Sequence, residues 1–243
     1  MSTDTAKIVS FNKGNRDDWV ASVARRTPNG AKVLDVGAGP CRYRSLFDHC
    51  DYQTQDFCQY EGRKRNGVKI DKWAYGQIDY VSPITNIPVE DESFDAVLCT
   101  EVLEHVPEPI RALKEINRAL RTGGMLYLSA PLGSGLHQQP YHYYGGYTPH
   151  FYRRFLPAGG FEVESVTPNG GFYRHLLQEL HRAASLIQKQ RHYSRLHPAY
   201  WLLRLGFARC LPRWLAKLDD ENLIEDFTIG YHVEARKVRA SEA

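Results

Sequence analysis

Val33-Leu34-Asp35-Val36-Gly37-Ala38-Gly39-Pro40 is the stretch that decides how this chain is read. Its apolar, β-branched start reads as a buried strand, and the strand runs into two glycines separated by one residue. Glycine adopts turn conformations that a Cβ excludes and lets backbone approach a ligand closely. The stretch therefore predicts a strand, a tight loop and a helix at the carboxyl end of a parallel sheet, a cradle for a nucleoside-bearing cofactor. Two phosphate-binding alternatives fail on single residues. A dinucleotide fingerprint needs a third glycine at position 42, where Arg42 stands, and a P-loop needs a Gly-Lys-Ser/Thr ending that is absent. Pyrophosphate binding, and with it a nicotinamide oxidoreductase, is disfavoured.

Working outward, Tyr52 to Gln55 reads as a second strand closed by Asp56, about twenty residues after Asp35, the separation at which a carboxylate takes both ribose hydroxyls. The string Ser93-Phe94-Asp95-Ala96-Val97-Leu98-Cys99-Thr100-Glu101-Val102-Leu103-Glu104-His105 reads as a strand and the helix after it. Leu120-Arg121-Thr122-Gly123-Gly124-Met125-Leu126-Tyr127-Leu128 reads as a helix end, a glycine turn and a strand. Residues 160–166 and 228–235 alternate apolar and polar side chains as two more strands. A helical pattern over 15–26 precedes the first strand and breaks at Pro28-Asn29-Gly30; it is expected to cover the cofactor.

In this order the motifs resemble class I S-adenosylmethionine-dependent methyltransferases of the small-molecule, methyltransferase-11-like type, over residues 30–168. The resemblance implies an α/β fold: a Rossmann-like, seven-stranded, mixed but mainly parallel sheet, helices on both faces, and here a helical insertion before the last strand. It implies S-adenosyl-L-methionine as cofactor and S-adenosyl-L-homocysteine as product. The implied contacts are Asp35, Gly37, Ala38 and Gly39 toward the loop and the amino-acid end, Asp56 at the ribose, Phe57 and Ser82 at the adenine, and Thr100-Glu101 beside the methionine portion. Asp95 is read as architectural. The chain departs from the family pattern at Cys41, where many members have glycine, and at Pro83, where an aspartate commonly meets the adenine amino group.

Composition narrows the setting. The chain has 243 residues, 42% of them hydrophobic, and a net charge of +3; these suit one methyltransferase domain over 1–243 and argue for no nucleic-acid partner. Arg63-Lys64-Arg65 reads as a solvated loop. Neither a signal peptide nor a run of about eighteen apolar residues is apparent, so a cytoplasmic location is expected. Five scattered cysteines form neither a disulfide framework nor a zinc pattern, and Cys99 and Cys210 read as reduced core residues.

The insertion, residues 172–220, is the chain's most individual feature. Between 172 and 218 it carries nine basic residues against the single acid Glu179, around the apolar run Tyr200–Phe207. Three readings stay open: a lid over the acceptor pocket, a homodimer surface, or peripheral contact with a membrane or a lipid-linked substrate through 198–218.

The acceptor site is expected in 133–152, where Gly133-Ser134-Gly135 leads into His137, Tyr141, His142, Tyr143, Tyr144, Tyr147, His150 and Tyr152. Histidine titrates where a hydroxyl proton must be taken near neutral pH, so His137 leads the catalytic candidates, followed by His142 and His105. Tyr147-Thr148-Pro149 also reads as a helix start, with the tyrosines packing. On a helix, Glu101, Glu104 and His105 would share one face. That face resembles the metal site of some RNA 2′-O-methyltransferases and polyprenyl-catechol methyltransferases, but the same string is common in metal-free members and no metal is assigned. The expected reaction is O-methylation of a small-molecule hydroxyl on a phenolic, sugar or lipid-linked intermediate. N- or C-methylation, or a binding protein of this fold without turnover, is the alternative.

Overall fold

The structure, a computed structural model, describes residues 10–62, 64–65, 68–69, 73–191, 197–202, 206 and 211–241. In chain order its elements are α1 (Phe11–Arg26), β1 (Lys32–Val36), β2 (Asp51–Asp56), the short pair β3 (Lys64–Arg65) and β4 (Val68–Lys69), β5 (Tyr80–Val81), β6 (Phe94–Thr100), α2 (Pro109–Ala119), β7 (Leu120–Pro131), α3 (Pro149–Ala158), β8 (Phe161–Pro168), α4 (Phe172–Arg191), α5 (Pro198–Leu202), α6 (Leu211–Glu221) and β9 (Gly230–Lys237). Seven strands form one sheet in the order β5-β2-β1-β6-β7-β9-β8. The pairs among β5, β2, β1, β6 and β7 are parallel, and β9 runs antiparallel to β7. This is the predicted sheet. The chain steps outward from β1 through β2 to β5, then returns to β6 on the other side of β1. The order of the strands reverses between β1 and β6, the switch point whose carboxyl end receives ligands in open sheets of this kind.

Alternation along β1 explains its place at the centre. Leu34 and Val36 enter one core with Val97, Cys99, Leu126 and Leu128, while Val33 enters a second with Ala96, Leu98 and Tyr127. Both faces are buried, so the strand reads as a continuous apolar run. On the second face, Val20 and Val23 of α1 complete the packing, and Trp19 stacks on His232 at 4.6 Å. The second half of α1 thus packs on the sheet, and the helix begins at Phe11 instead of residue 15. On the first face, α2 contributes Ala112, Leu113, Ile116 and Ala119 at helical spacing, all buried.

Lys64–Arg65 pairs antiparallel with Val68–Lys69, a hairpin where a plain loop was expected. Asp95 accepts the Lys32 amide at 2.7 Å and pairs with Arg121 at 2.6 Å, the architectural role foreseen for it. Cys99 is buried; Cys210 lies outside the described residues.

The chain divides into two compact units, one of Trp19–Thr167 with Gly230–Ala243 and one of Met1–Asp18 with Pro168–Ile229. The second contains the insertion. Within it α4 packs on α6, and Asp219, 4% exposed, accepts the amides of Gly171, Tyr173 and Arg174 at 2.8, 3.0 and 3.3 Å, satisfying the free donors at the start of α4. Large apolar side chains face solvent here, among them Trp201 (49% exposed), Leu202 (70%) and Trp214 (59%). Arg204 and Arg209 lie outside the described residues. Among the described residues no helix is long and apolar enough to cross a membrane.

Candidate active site

Gly37 and Gly39 both hold positive φ, +68° and +50°. The end of β2 supports them: Gly37 N donates to Gln55 Oε1 at 3.3 Å, Ala38 N to Gln55 O at 3.0 Å, and Gly39 N to Asp56 Oδ2 at 2.9 Å. A Cβ on Gly37 would stand 2.5 Å from Val102 Cγ2, so the loop lies directly against the segment that follows β6. Asp56, 5% exposed, accepts Cys58 N with its other oxygen at 3.0 Å. Asp35, one residue before the end of β1, is buried and accepts the Tyr52 hydroxyl. Burial pushes its carboxyl up to about 7, against the lowering effect of the Tyr52 bond.

The other cofactor candidates gather around the same loop. Ser82 N donates to Asp56 O at 3.1 Å, and its carbonyl accepts from Gln55 Nε2. Phe57 meets Tyr141 edge-on at 4.9 Å. Cys41 adopts φ +55°, an uncommon conformation for a residue with a Cβ, and its thiol donates to Gln77 O at 3.3 Å.

After β6 the predicted helix does not form. Thr100 ends the strand, Glu101 takes φ +55°, and only a 3-10 turn over Leu103–His105 follows before α2. Pro107 and Pro109 account for this, since the residue before each is steered away from helical angles. Glu101 turns aside instead: its amide donates to Ser129 O at 2.8 Å and its carboxylate accepts Ser129 Oγ at 2.9 Å. The shared face of Glu101, Glu104 and His105 is therefore not present. Glu104 and His105 instead have His137 as their neighbour, with ligand-type atoms of the three within 4.8 Å of one another.

All three histidine candidates meet. Ring centroids of His105 and His137 lie 4.7 Å apart, His137 and His142 4.4 Å, and His105 and His142 5.7 Å. Backbone carbonyls and one hydroxyl orient the rings. His105 Nδ1 donates to Tyr141 O at 2.5 Å and His137 Nδ1 to Gly135 O at 2.9 Å, which leaves Nε2 of each as the basic nitrogen. Ser134 Oγ donates to Gly145 O at 3.0 Å, so it accepts from His142 Nε2 at 3.2 Å and leaves Nδ1 basic there. Burial pushes the His105 imidazole down to about 4, and burial with neighbouring His137 lowers His142 as well.

The loop's remaining aromatics divide between packing and surface. Tyr147 is buried and donates to Leu103 O at 2.8 Å; Tyr152 is buried in the core; Tyr143, Tyr144 and His150 are exposed. Thr148 caps α3 and Pro149 opens it, as read. A surface groove of about 740 Å³ beside Pro107, Lys114, Tyr144 and Phe155 includes none of the three histidines.

Comparison with known proteins fits this geometry. Residues 34–128 match the model of the methyltransferase domain. An uncharacterized methyltransferase of Mycobacterium sp. (strain KMS) is 33% identical over 154 residues, 60% of this chain and 56% of that protein. A ubiquinone biosynthesis O-methyltransferase of Xanthomonas axonopodis pv. citri (strain 306) is 34% identical over 109 residues, 44% of this chain and 45% of that one. The chain spans about half the length of the curated relatives it matches. Phosphoethanolamine N-methyltransferase 2 of Haemonchus contortus, solved with S-adenosyl-L-methionine, superposes with a TM-score of 0.52 at 16% identity, covering 92% of this chain and 53% of that one. The match over residues 34–128 is to a methyltransferase domain, and the strand order of the sheet agrees with the methyltransferase fold that the glycine loop and the order of the motifs indicate.

Proposed function

We propose that this protein transfers a methyl group from S-adenosyl-L-methionine to the hydroxyl of a small phenolic, sugar or lipid-linked acceptor. One observation carries the reading: three histidines converge on a loop that is contiguous with the cofactor cradle, through Val102 against Gly37 and Tyr141 against Phe57. Asp56 would take the ribose hydroxyls, Phe57 and Ser82 would flank the adenine, and Gly37 to Gly39 would admit the amino-acid portion to the backbone. Methyl transfer from a sulfonium is an in-line displacement in which positive charge disappears, so the protein's task is to hold the nucleophile in line and to exclude water. An acceptor hydroxyl must lose its proton. His137 is placed for that role, with Nδ1 fixed by Gly135 O and Nε2 free to accept. His105, held near a pKa of about 4, is neutral at physiological pH and serves as a wall that orients the acceptor.

The Xanthomonas relative's O-methyltransferase name supports a hydroxyl acceptor. The insertion favours an apolar or lipid-linked one, because Trp201, Leu202 and Trp214 expose apolar surface on a unit rich in arginine and lysine. The test is methyl transfer from labelled S-adenosyl-L-methionine to a panel of catechols, prenylated phenols and sugars, alongside amines and carbon acids. Turnover of a hydroxyl that His137→Ala abolishes supports the reading. Turnover confined to amines or carbon acids replaces O-methylation with N- or C-methylation. Binding of the cofactor without any turnover leaves a binding protein. Activity that persists in excess chelator supports the metal-free chemistry, whereas loss restored by magnesium assigns Glu104, His105 and His137 as ligands.

A further inference from the structure

Residues 57–79 carry no periodic signal in the sequence, yet their return leg is fastened over the glycine loop. Gly76 N donates to Gly39 O at 2.9 Å, and Gln77 O accepts both Thr54 Oγ1 and Arg44 Nη2 at 3.0 Å. A Cβ on Gly76 would lie 2.5 Å from Cys41 Sγ, so only glycine lets the strap sit this close. The strap brings the Trp73 indole over Gly39, where an added Cβ would stand 3.0 Å from Trp73 Cζ2. Tyr60 and Tyr75 brace the ring edge-on, with centroids 5.4 and 6.2 Å away, and the Tyr75 hydroxyl is tied to the Tyr60 backbone on both sides, at 2.9 and 3.1 Å.

One polar atom in this arrangement has nothing to bind. Trp73 Nε1 is shut off from solvent and finds no acceptor among the described residues. A buried indole N–H ordinarily has a partner, and leaving one unpaired is destabilising because its lost hydration is not replaced. The atom sits beside the loop whose Gly39 amide is shared with Asp56, so a ligand that meets Gly39 and Asp56 comes within reach of the indole.

We propose that Trp73 is a cofactor-contacting residue, its ring roofing Gly39 and its indole N–H donating to an oxygen of the adenosyl cofactor, on the ribose or on the methionine carboxylate. This assignment rests on the reading of Gly37 to Gly39 and Asp56 as the cofactor cradle. It adds a neutral indole donor beside the backbone of Gly37 to Gly39 and the Asp56 carboxylate.

The test is calorimetric titration of S-adenosyl-L-homocysteine and of 5′-methylthioadenosine into the unsubstituted protein and Trp73→Phe, which keeps an aromatic roof and removes the donor. The dissociation constant for S-adenosyl-L-homocysteine is expected to rise roughly tenfold, the effect of one hydrogen bond, while the melting temperature without ligand stays the same or rises. A matching loss with 5′-methylthioadenosine assigns the ribose as partner; a loss seen only with S-adenosyl-L-homocysteine assigns the carboxylate. An unchanged constant in Trp73→Phe overturns the proposal alone, whereas failure of the unsubstituted protein to bind either ligand overturns the cradle reading with it. A second measurement needs no variant. Of the four indole N–H resonances, one must shift downfield on addition of S-adenosyl-L-homocysteine, and a spectrum in which none moves contradicts the proposal.

Discussion

The glycine loop and the histidine loop lie side by side at the carboxyl edge of one sheet, and they are held in opposite ways. Residues 37–39 are fixed by backbone amides that donate to the last two residues of the neighbouring strand, Gln55 and Asp56. Residues 133–147 hang from scattered bonds, such as Ser134 to Gly145, Tyr147 to Leu103 and His105 to Tyr141. A loop fixed by strand geometry tolerates little change in its backbone. A site made by side chains on an irregular loop can change its partner without disturbing the sheet.

The largest expected effect falls on the histidine loop. His137→Ala should lower the methyl-transfer rate by about 10²–10⁴-fold with a hydroxyl acceptor, the usual span for losing a general base, with little change in cofactor affinity. A rate within about threefold of the parent across pH 6–9, at saturating acceptor, removes His137 from that role.

On the glycine loop, Gly37→Ala should weaken S-adenosyl-L-homocysteine binding by at least about 2 kcal/mol. The new methyl group would face Val102 at 2.5 Å from a backbone at φ +68°, and strain of this kind costs about 1–3 kcal/mol. Unaltered affinity in a folded Gly37→Ala protein would mean that the loop does not approach the cofactor.

That contrast also explains what the sequence made legible. Asp35, Gly37, Gly39 and Asp56 were readable because strand alternation and a glycine turn are local facts. The same holds for Thr148 and Pro149 at the start of α3. His105, by contrast, seemed to belong to a helical face with Glu101, and only tertiary structure brings it to His137 and His142. Pro107 and Pro109 carried the warning, since they disfavour a helix through residues 103–108. Trp73 carried no warning, because its place depends on Gly76 bonding to Gly39 of the glycine loop and on Gln77 bonding to Thr54 and Arg44, all distant in the chain.

A smaller effect distinguishes the two loops by pH. Burial raises Asp35 from an ordinary 3.8 to about 7, so the folded protein holds a proton that the unfolded chain has lost; this contribution is fully present below pH 3.8 and fades as pH rises through about 7. Burial lowers His105 from 6.5 to about 4, so the unfolded chain holds the extra proton and stability falls as pH drops from 6.5 through about 4. The two slopes oppose each other over the same window. Melting temperatures measured from pH 4 to 7 should rise more steeply with pH in Asp35→Asn than in the parent, and fall with pH in His105→Gln. Identical slopes in all three proteins would contradict both assignments.

The division of labour between the loops is tested most directly by titrating S-adenosyl-L-homocysteine into the unsubstituted protein, Asp56→Ala, His137→Ala and the double variant. Asp56→Ala should lose about 1.5–3 kcal/mol of binding, the worth of charge-assisted bonds to the ribose. His137→Ala should lose none, and the double variant should match Asp56→Ala. Undiminished binding in Asp56→Ala, or an equal loss in His137→Ala, would contradict the account.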